Sequence, residues 1–168
     1  MDRMVKDILD GITVFDGLNQ DEINHLRSLF VLKHFYKDDI IFEQTSEAVY
    51  FYILSKGKIL IQYKPYDGPS LVVANVLPGD IFGWSSMLQR DGYTSTAVAA
   101  ESSTAYQARG RDLLDLCAHS PASGAIILQR LAGIISTRYK GAQGEIGDIL
   151  RSGMNLPNEC WKRINENE

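Results

Sequence analysis

The spacing of apolar positions changes character twice along the chain. In LNQDEINHLRSLF, residues 18–30, Ile23, Leu26, Leu29 and Phe30 fall on one helical face. Asn19 with Glu22 three positions later is a capping-box pattern, and Leu18 is placed to staple onto Ile23. This predicts a helix of about three turns, preceded by a short lead-in helix over residues 4–12.

From residue 31 the pattern breaks into short runs rich in Val, Ile, Tyr and Phe: VLKHFYK, DDIIFEQ, VYFYILS, KILIQYK and SLVVANVL. Turn signals separate them at Asp38-Asp39, Thr45-Ser46, Lys56-Gly57, Asp67-Gly68-Pro69 and Pro78-Gly79-Asp80. Short strands at roughly ten-residue spacing indicate a sandwich or barrel, not a parallel sheet. Lys56-Gly57 reads as a tight hairpin and Asp67-Gly68 as the next. Two further strands, TSTAVAA (94–100) and STAYQAR (103–109), complete the β region.

Helical periodicity returns at Asp112 with DLLDLCAHS. Ser120-Pro121 then gives an N-cap and a proline at the first helical position of a longer helix, about 121–150. Leu128, Ala132, Ile135, Tyr139, Ala142, Ile146 and Ile149 are spaced alternately four and three apart, a heptad seam suited to pairing two copies of this helix. Gly141, Gly144 and Gly147 lie off that seam, and each costs up to about 1 kcal/mol of helix propensity. Residues 151–168 read as a tail with Trp161 tucked against the body.

Composition narrows the function classes. With 45% hydrophobic and 23% charged residues in 168, the chain fits one globular domain, about residues 1–150, plus the tail. The net charge of −4 offers no basic face for nucleic acid. The early acidic residues Asp2, Asp7, Asp10 and Asp16 fit no signal peptide, and no apolar run is long enough to cross a membrane, so a cytoplasmic location is expected. Cys117 and Cys160 are too few for a disulfide framework or metal site. His25, His34 and His119 lack companions at ligand spacing, so no metal is expected. No nucleophile–base arrangement has local support, and no catalytic residue is assigned. A cupin metalloenzyme would want histidines clustered on strands, and only His34 lies on one.

The candidate chemistry sits in IFGWSSMLQRDGYTSTAVAA, residues 81–100, where one helical turn lined by small hydroxyls interrupts the strands. Such a turn can build a small-anion pocket or serve as a plain strand crossover. Gly83 and the amides of Ser85 and Ser86 form a candidate anion nest. Ser85, Ser86, Thr94, Ser95 and Thr96 are candidate hydroxyl donors, against the alternative that they satisfy nearby backbone. Trp84 offers a flat apolar surface with one N–H donor, against the alternative of a core plug.

The order of elements, together with FYILSKGKILIQY and LPGDIFGW, resembles the cyclic-nucleotide-binding domain of catabolite-activator-type regulators over roughly residues 12–140. The resemblance implies a mainly β fold: a β-jelly roll of the double-stranded β-helix type over about 31–109, with N-terminal helices and a long C-terminal helix. It implies a regulatory, non-enzymatic module that binds a small-molecule effector, a cyclic nucleotide or other anion, and forms a homodimer through the long helix. In the family a glutamate after Phe-Gly accepts from the ribose hydroxyl, and an arginine before the next strand pairs with the cyclic phosphate. Phe82 and Gly83 match, but Trp84 stands at the glutamate position and Thr94 at the arginine position. Arg90 lies four residues early. A loose alignment through LAGIISTRYK places Arg138 and Tyr139 toward the opposite wall, where Arg138 either supplies a cation or remains solvated and Tyr139 either reaches the ligand or belongs to the seam. Beyond Lys140 at most 28 residues remain, too few for the family's helix-turn-helix domain, so no direct DNA binding is expected. Two readings stand: an effector sensor with an altered phosphate-binding cassette, acting through a dimer or partner, and a ligand-free scaffold retained as an interaction module.

Overall fold

A computed structural model describes residues 12–88, 90–134 and 136. After a 3-10 turn at Thr13–Phe15 comes helix α1, Gln20–Ser28. Its capping box is present in full: Glu22 N–H donates to Asn19 Oδ1 at 2.9 Å, and Asn19 N–H donates to Glu22 Oε2 at 3.0 Å. Eight strands follow: β1 Val31–Phe35, β2 Ile40–Phe42, β3 Tyr50–Lys56, β4 Ile59–Tyr63, β5 Leu71–Val76, β6 Ile81–Phe82, β7 Thr96–Ala99 and β8 Ser103–Arg109. They form two four-stranded antiparallel sheets, β1-β8-β3-β6 and β2-β7-β4-β5, the two walls of the expected jelly roll. Helix α2, Gly110–His119, grows directly out of β8, and helix α3 runs over 121–134. The lead-in helix, the later part of the long helix and the tail fall outside the described residues.

Strand alternation sorts the apolar residues into two cores that share one wall. On β3, Phe51 and Ile53 face the helices, whereas Tyr52 and Leu54 face the opposite sheet. β6 and β8 divide the same way: Ile81, Tyr106 and Ala108 go to the helical side, Phe82 and Ala105 to the interior of the roll. This two-sided burial explains why YFYIL is continuously apolar and aromatic instead of alternating with polar residues. The helical core gathers Val14, Phe15, Leu18 and Leu26 with Leu113, Leu116, Ile127 and Leu131. Arg130 of α3 ties down the N-terminal turn by donating from Nη1 to the carbonyls of Val14 (3.3 Å) and Asp16.

The Lys56-Gly57 hairpin expected from sequence is not one. β3 pairs with β8 and β6, and β4 with β5 and β7, so the chain changes sheets at Gly57. Two apolar strands around a glycine look the same in sequence whether the turn folds them together or sends them to opposite walls. Gly57 has φ 95°, and a Cβ there would lie 2.7 Å from Ser103 Cα. Asp67-Gly68 does mark a hairpin, joining the paired strands β4 and β5. Leu77-Pro78-Gly79-Asp80 is a tight turn with Gly79 at φ 91° and Asp80 N–H donating to Leu77 O at 2.9 Å, and it delivers β6 alongside β3.

Two predictions follow from this packing. Gly57→Ala combines a left-handed φ with a backbone collision, so it should cost about 2 kcal/mol or more in urea unfolding. Glu22 links the starts of α1 and α3: the Ser123 hydroxyl, the Asn19 amide and the Ser120 hydroxyl hold its carboxyl below the ordinary value of 4.5. A depressed folded value gives stability that is present above the unfolded pKa and lost as pH falls through the folded one. Glu22→Gln should therefore lose less stability than the parent between neutral pH and about pH 3 when both are followed by denaturant titration.

Candidate functional site

β6 is two residues long, and its pairing with β3 ends at Tyr52↔Phe82. The chain leaves the sheet at Gly83, which adopts φ 77°. A Cβ at this position would lie 2.9 Å from Tyr50 O and 3.3 Å from a Phe42 ring carbon, so both conformation and space require glycine. A single 3-10 turn follows, Trp84–Met87, the helical turn expected from the sequence. Ser85, Ser86 and Met87 in it are buried. The turn rests on the start of α2: a Cβ on Gly110 would lie 2.6 Å from Ser86 Oγ.

Between this turn and the entry to β7 lies a cleft of about 30 Å3, lined by Phe42, Ile61, Phe82, Gly83, Trp84, Ser85, Tyr93, Thr94 and Ser95. A water needs about 10–15 Å3 on this scale, so the cleft has room for one or two. Of the residues singled out in the sequence, Phe82, Gly83, Trp84, Ser85, Thr94 and Ser95 meet here. Trp84 is half-buried and also packs against the helical core, so one side chain belongs to both compartments. Ser85 is 4% exposed, and its hydroxyl has no hydrogen-bond partner among the described residues. Thr94 is exposed at the rim.

Ser86 and Thr96 are directed elsewhere. Ser86 Oγ donates to Gly83 O at 3.0 Å, closing the turn on itself. Thr96 Oγ1 accepts from Gln44 N–H at 2.9 Å, joining β7 to the end of β2. Both spend their hydroxyls on nearby backbone, as short polar side chains in turns commonly do. Arg138 and Tyr139 lie outside the described residues, and Arg90 is exposed on the loop. The nine lining residues include no Arg, Lys, Asp or Glu.

Three lining residues escaped the sequence reading: Phe42, Ile61 and Tyr93. Alternation along β2 and β4 would have pointed the first two inward. Tyr93, just before the strand TSTAVAA, carried no signal of its own in the sequence, and it is the best-anchored residue of the site. Its backbone exchanges hydrogen bonds with the facing loop, Thr45 N–H to Tyr93 O at 2.8 Å and Tyr93 N–H to Ser46 O at 2.9 Å. Its ring stacks on Phe42 with centroids 3.9 Å apart and planes 13° from parallel. Phe42 in turn stacks on Tyr52 and Phe82, whose own centroids are 4.9 Å apart. The phenol donates to Tyr50 O at 2.7 Å and accepts from Tyr50 N–H at 3.0 Å. Burial, opposed by the bonds to Tyr50, pushes the Tyr93 hydroxyl up to about 12. Burial likewise raises Tyr52, whose hydroxyl accepts from Gln107 Nε2 at 3.0 Å.

Comparison with known proteins agrees with this architecture. The cyclic AMP receptor protein of Thermus thermophilus is 25% identical over 142 residues, covering 84% of this chain and 63% of the relative. The chain thus spans less than two thirds of the length of the curated relatives it matches. A cyclic nucleotide-binding domain from Methylobacillus flagellatus superposes with TM-score 0.74 at 20% identity, covering 86% of this chain and 83% of that one. The regulatory subunit of a cAMP-independent protein kinase A from Trypanosoma brucei, in a mutant form bound to cAMP, superposes with TM-score 0.72 at 19% identity, over 86% of this chain and 51% of that one. The family model for the cyclic nucleotide-binding domain matches residues 32–120, from β1 through α2, so the sheets, the 3-10 turn and its cleft all fall within it, and the chain belongs to that family.

Proposed function

We propose that this chain is a regulatory effector-sensing module of the cyclic-nucleotide-binding type whose cleft has been retuned toward ligands of low charge. One observation carries the reading: the cleft is walled by aromatic rings, small hydroxyls and a glycine, with no charged side chain among its nine lining residues. A cyclic phosphate brings a full negative charge that must be answered as it leaves water. A charge-assisted hydrogen bond of the kind an arginine makes is worth about 1.5–3 kcal/mol. Thr94 at the arginine position is neutral and short, and Trp84 at the glutamate position can donate but cannot accept from a ribose hydroxyl. The hydroxyl of Ser85, without a hydrogen-bond partner among the described residues, and the indole face of Trp84 instead suit an uncharged small molecule. We take the sensing unit to span residues 1–150, with a regulatory and not a catalytic role.

The signal is proposed to pass through a second copy of the chain. On α3, Gly124, Ile127 and Leu131 turn inward, whereas Leu128 and Ala132, the first two seam positions, are exposed. The same helix therefore presents one apolar stripe to its own core and another outward. The alternative, a ligand-free scaffold serving as an interaction module, draws support from the small free volume of the cleft and from the second role of Trp84 in the helical core.

Calorimetry separates these readings. The parent should bind cyclic AMP weakly or not at all, whereas Trp84→Glu combined with Thr94→Arg should gain at least about a hundredfold in affinity, the equivalent of the few kcal/mol that two charged contacts supply. Micromolar binding by the unmodified chain would overturn the low-charge reading. A thermal-shift screen of uncharged metabolites tests for a ligand directly, because one present at a hundred times its Kd adds about 2.7 kcal/mol; no shift with any of them favours the scaffold. For assembly, Leu128→Glu with Ala132→Glu should convert dimers to monomers in sedimentation at tens of micromolar, since the carboxylates would be buried in an apolar seam. A parent that is already monomeric there removes the dimer from the proposal.

A further inference from the structure

Tyr93 stands out from the other residues around the cleft because three independent restraints converge on it. Its backbone is held by reciprocal hydrogen bonds to Thr45 and Ser46. Its ring, 5% exposed, lies flat on Phe42 between the two sheets. Its hydroxyl takes both the N–H and the C=O of Tyr50 on β3. Those two groups face the side of β3 on which β6 has already ended, so no strand is there to pair with them.

The facing loop is shaped around this residue. Thr45 holds φ 70°, a left-handed conformation that a β-branched residue adopts only when its surroundings impose it. Gly92, just before Tyr93, approaches so closely that a Cβ would lie 2.8 Å from Thr45 O. Gly83 on the other side of the cleft is excluded from carrying a side chain by the same Tyr50 carbonyl and Phe42 ring that Tyr93 contacts. Backbone conformation on both sides of the cleft is thus fitted to a ring and a hydroxyl supplied at this point.

We propose that Tyr93 is a tethered occupant of the site. A ring and hydroxyl from the chain itself fill the inner half of the cleft and thereby determine which effectors it admits. The residue is a specificity determinant: ligands must fit beside the ring, against Trp84, Ser85 and Ser95, and a ligand as large as a nucleotide is excluded by volume as well as by charge. This inference rests on the reading of the cleft as an effector site, but the occupancy by Tyr93 can be tested without it.

The probe is p-cresol, which is the tyrosine side chain released from the backbone. Tyr93→Ala should open an apolar space with two backbone partners at its end, and such a space takes a ring-sized guest. p-Cresol should raise the thermal midpoint of Tyr93→Ala well above any effect on the parent, and toluene, without the hydroxyl, should do so less. An equal effect of p-cresol on folded variant and parent would overturn the proposal. Should Tyr93→Ala fail to fold, Tyr93→Phe keeps the ring and removes only the hydroxyl. In that variant the Tyr50 amide should exchange its hydrogen faster than in the parent, and unchanged exchange would rule out the tether. Specificity is read in the charge-restored background of Trp84→Glu with Thr94→Arg, where adding Tyr93→Ala should raise cyclic AMP affinity by a further factor of about ten or more. Equal affinity with Tyr or Ala at this position would overturn the size exclusion. Failure of the charge-restored pair to bind at all bears on the low-charge reading, whereas p-cresol and amide exchange bear on Tyr93 alone.

Discussion

A buried backbone N–H or C=O must find a partner, and at Tyr50 that requirement shapes the cleft. β3 runs through the middle of its sheet, yet its neighbour β6 stops after Phe82 so that the chain can turn into the 3-10 turn. Tyr50, half-buried, is left with a backbone donor and acceptor that no strand residue pairs. The Tyr93 hydroxyl answers both at once, and the rest follows from geometry. The tyrosine ring must lie on Phe42, Gly83 must carry no side chain, and the loop around Thr45 and Ser46 must bend to meet the backbone of Tyr93. A single phenol does the work of a missing strand residue.

The sheet that contains β3 is also the wall between two cores, so the cleft is mechanically close to the helices. Trp84 reaches into the helical core, and Met87 at the other end of the turn is buried there. Ser86 is pressed against Gly110, the first residue of α2. Interiors are packed to the density of organic crystals, and a contact this close transmits displacement instead of absorbing it. Gly124 repeats the arrangement one step further, since a Cβ there would lie 2.8 Å from Cys117 Cα, which locks α3 onto α2. A continuous series of close contacts therefore runs from the floor of the cleft to the helix that carries the exposed Leu128 and Ala132.

The hydroxyls around the cleft fall into two kinds although they look alike in sequence. Ser86 and Thr96 complete turns and strand ends, and their oxygens are engaged with Gly83 and Gln44. Ser85, Thr94 and Ser95 line the open space. What separates the two kinds is the position of the nearest backbone group that needs a partner, not the residue type.

The sequence by itself determined everything that depends on local chemistry and period. The capping box of Asn19 and Glu22, the turns at Asp67-Gly68 and Pro78-Gly79, seven of the eight strands and the helical turn at Trp84 were legible, because each is specified within a few neighbouring residues. Tertiary structure alone decided which wall each strand joins, and so turned the Lys56-Gly57 hairpin into a corner between sheets. It alone sorted the hydroxyls and brought Tyr93 onto Tyr50 and Phe42, residues 43 and 51 positions away along the chain. The physical reason is the same in each case: a turn or cap is settled by the conformational preferences of adjacent residues, whereas a ring stack or a stranded backbone group finds its partner only after the sheets have closed around it.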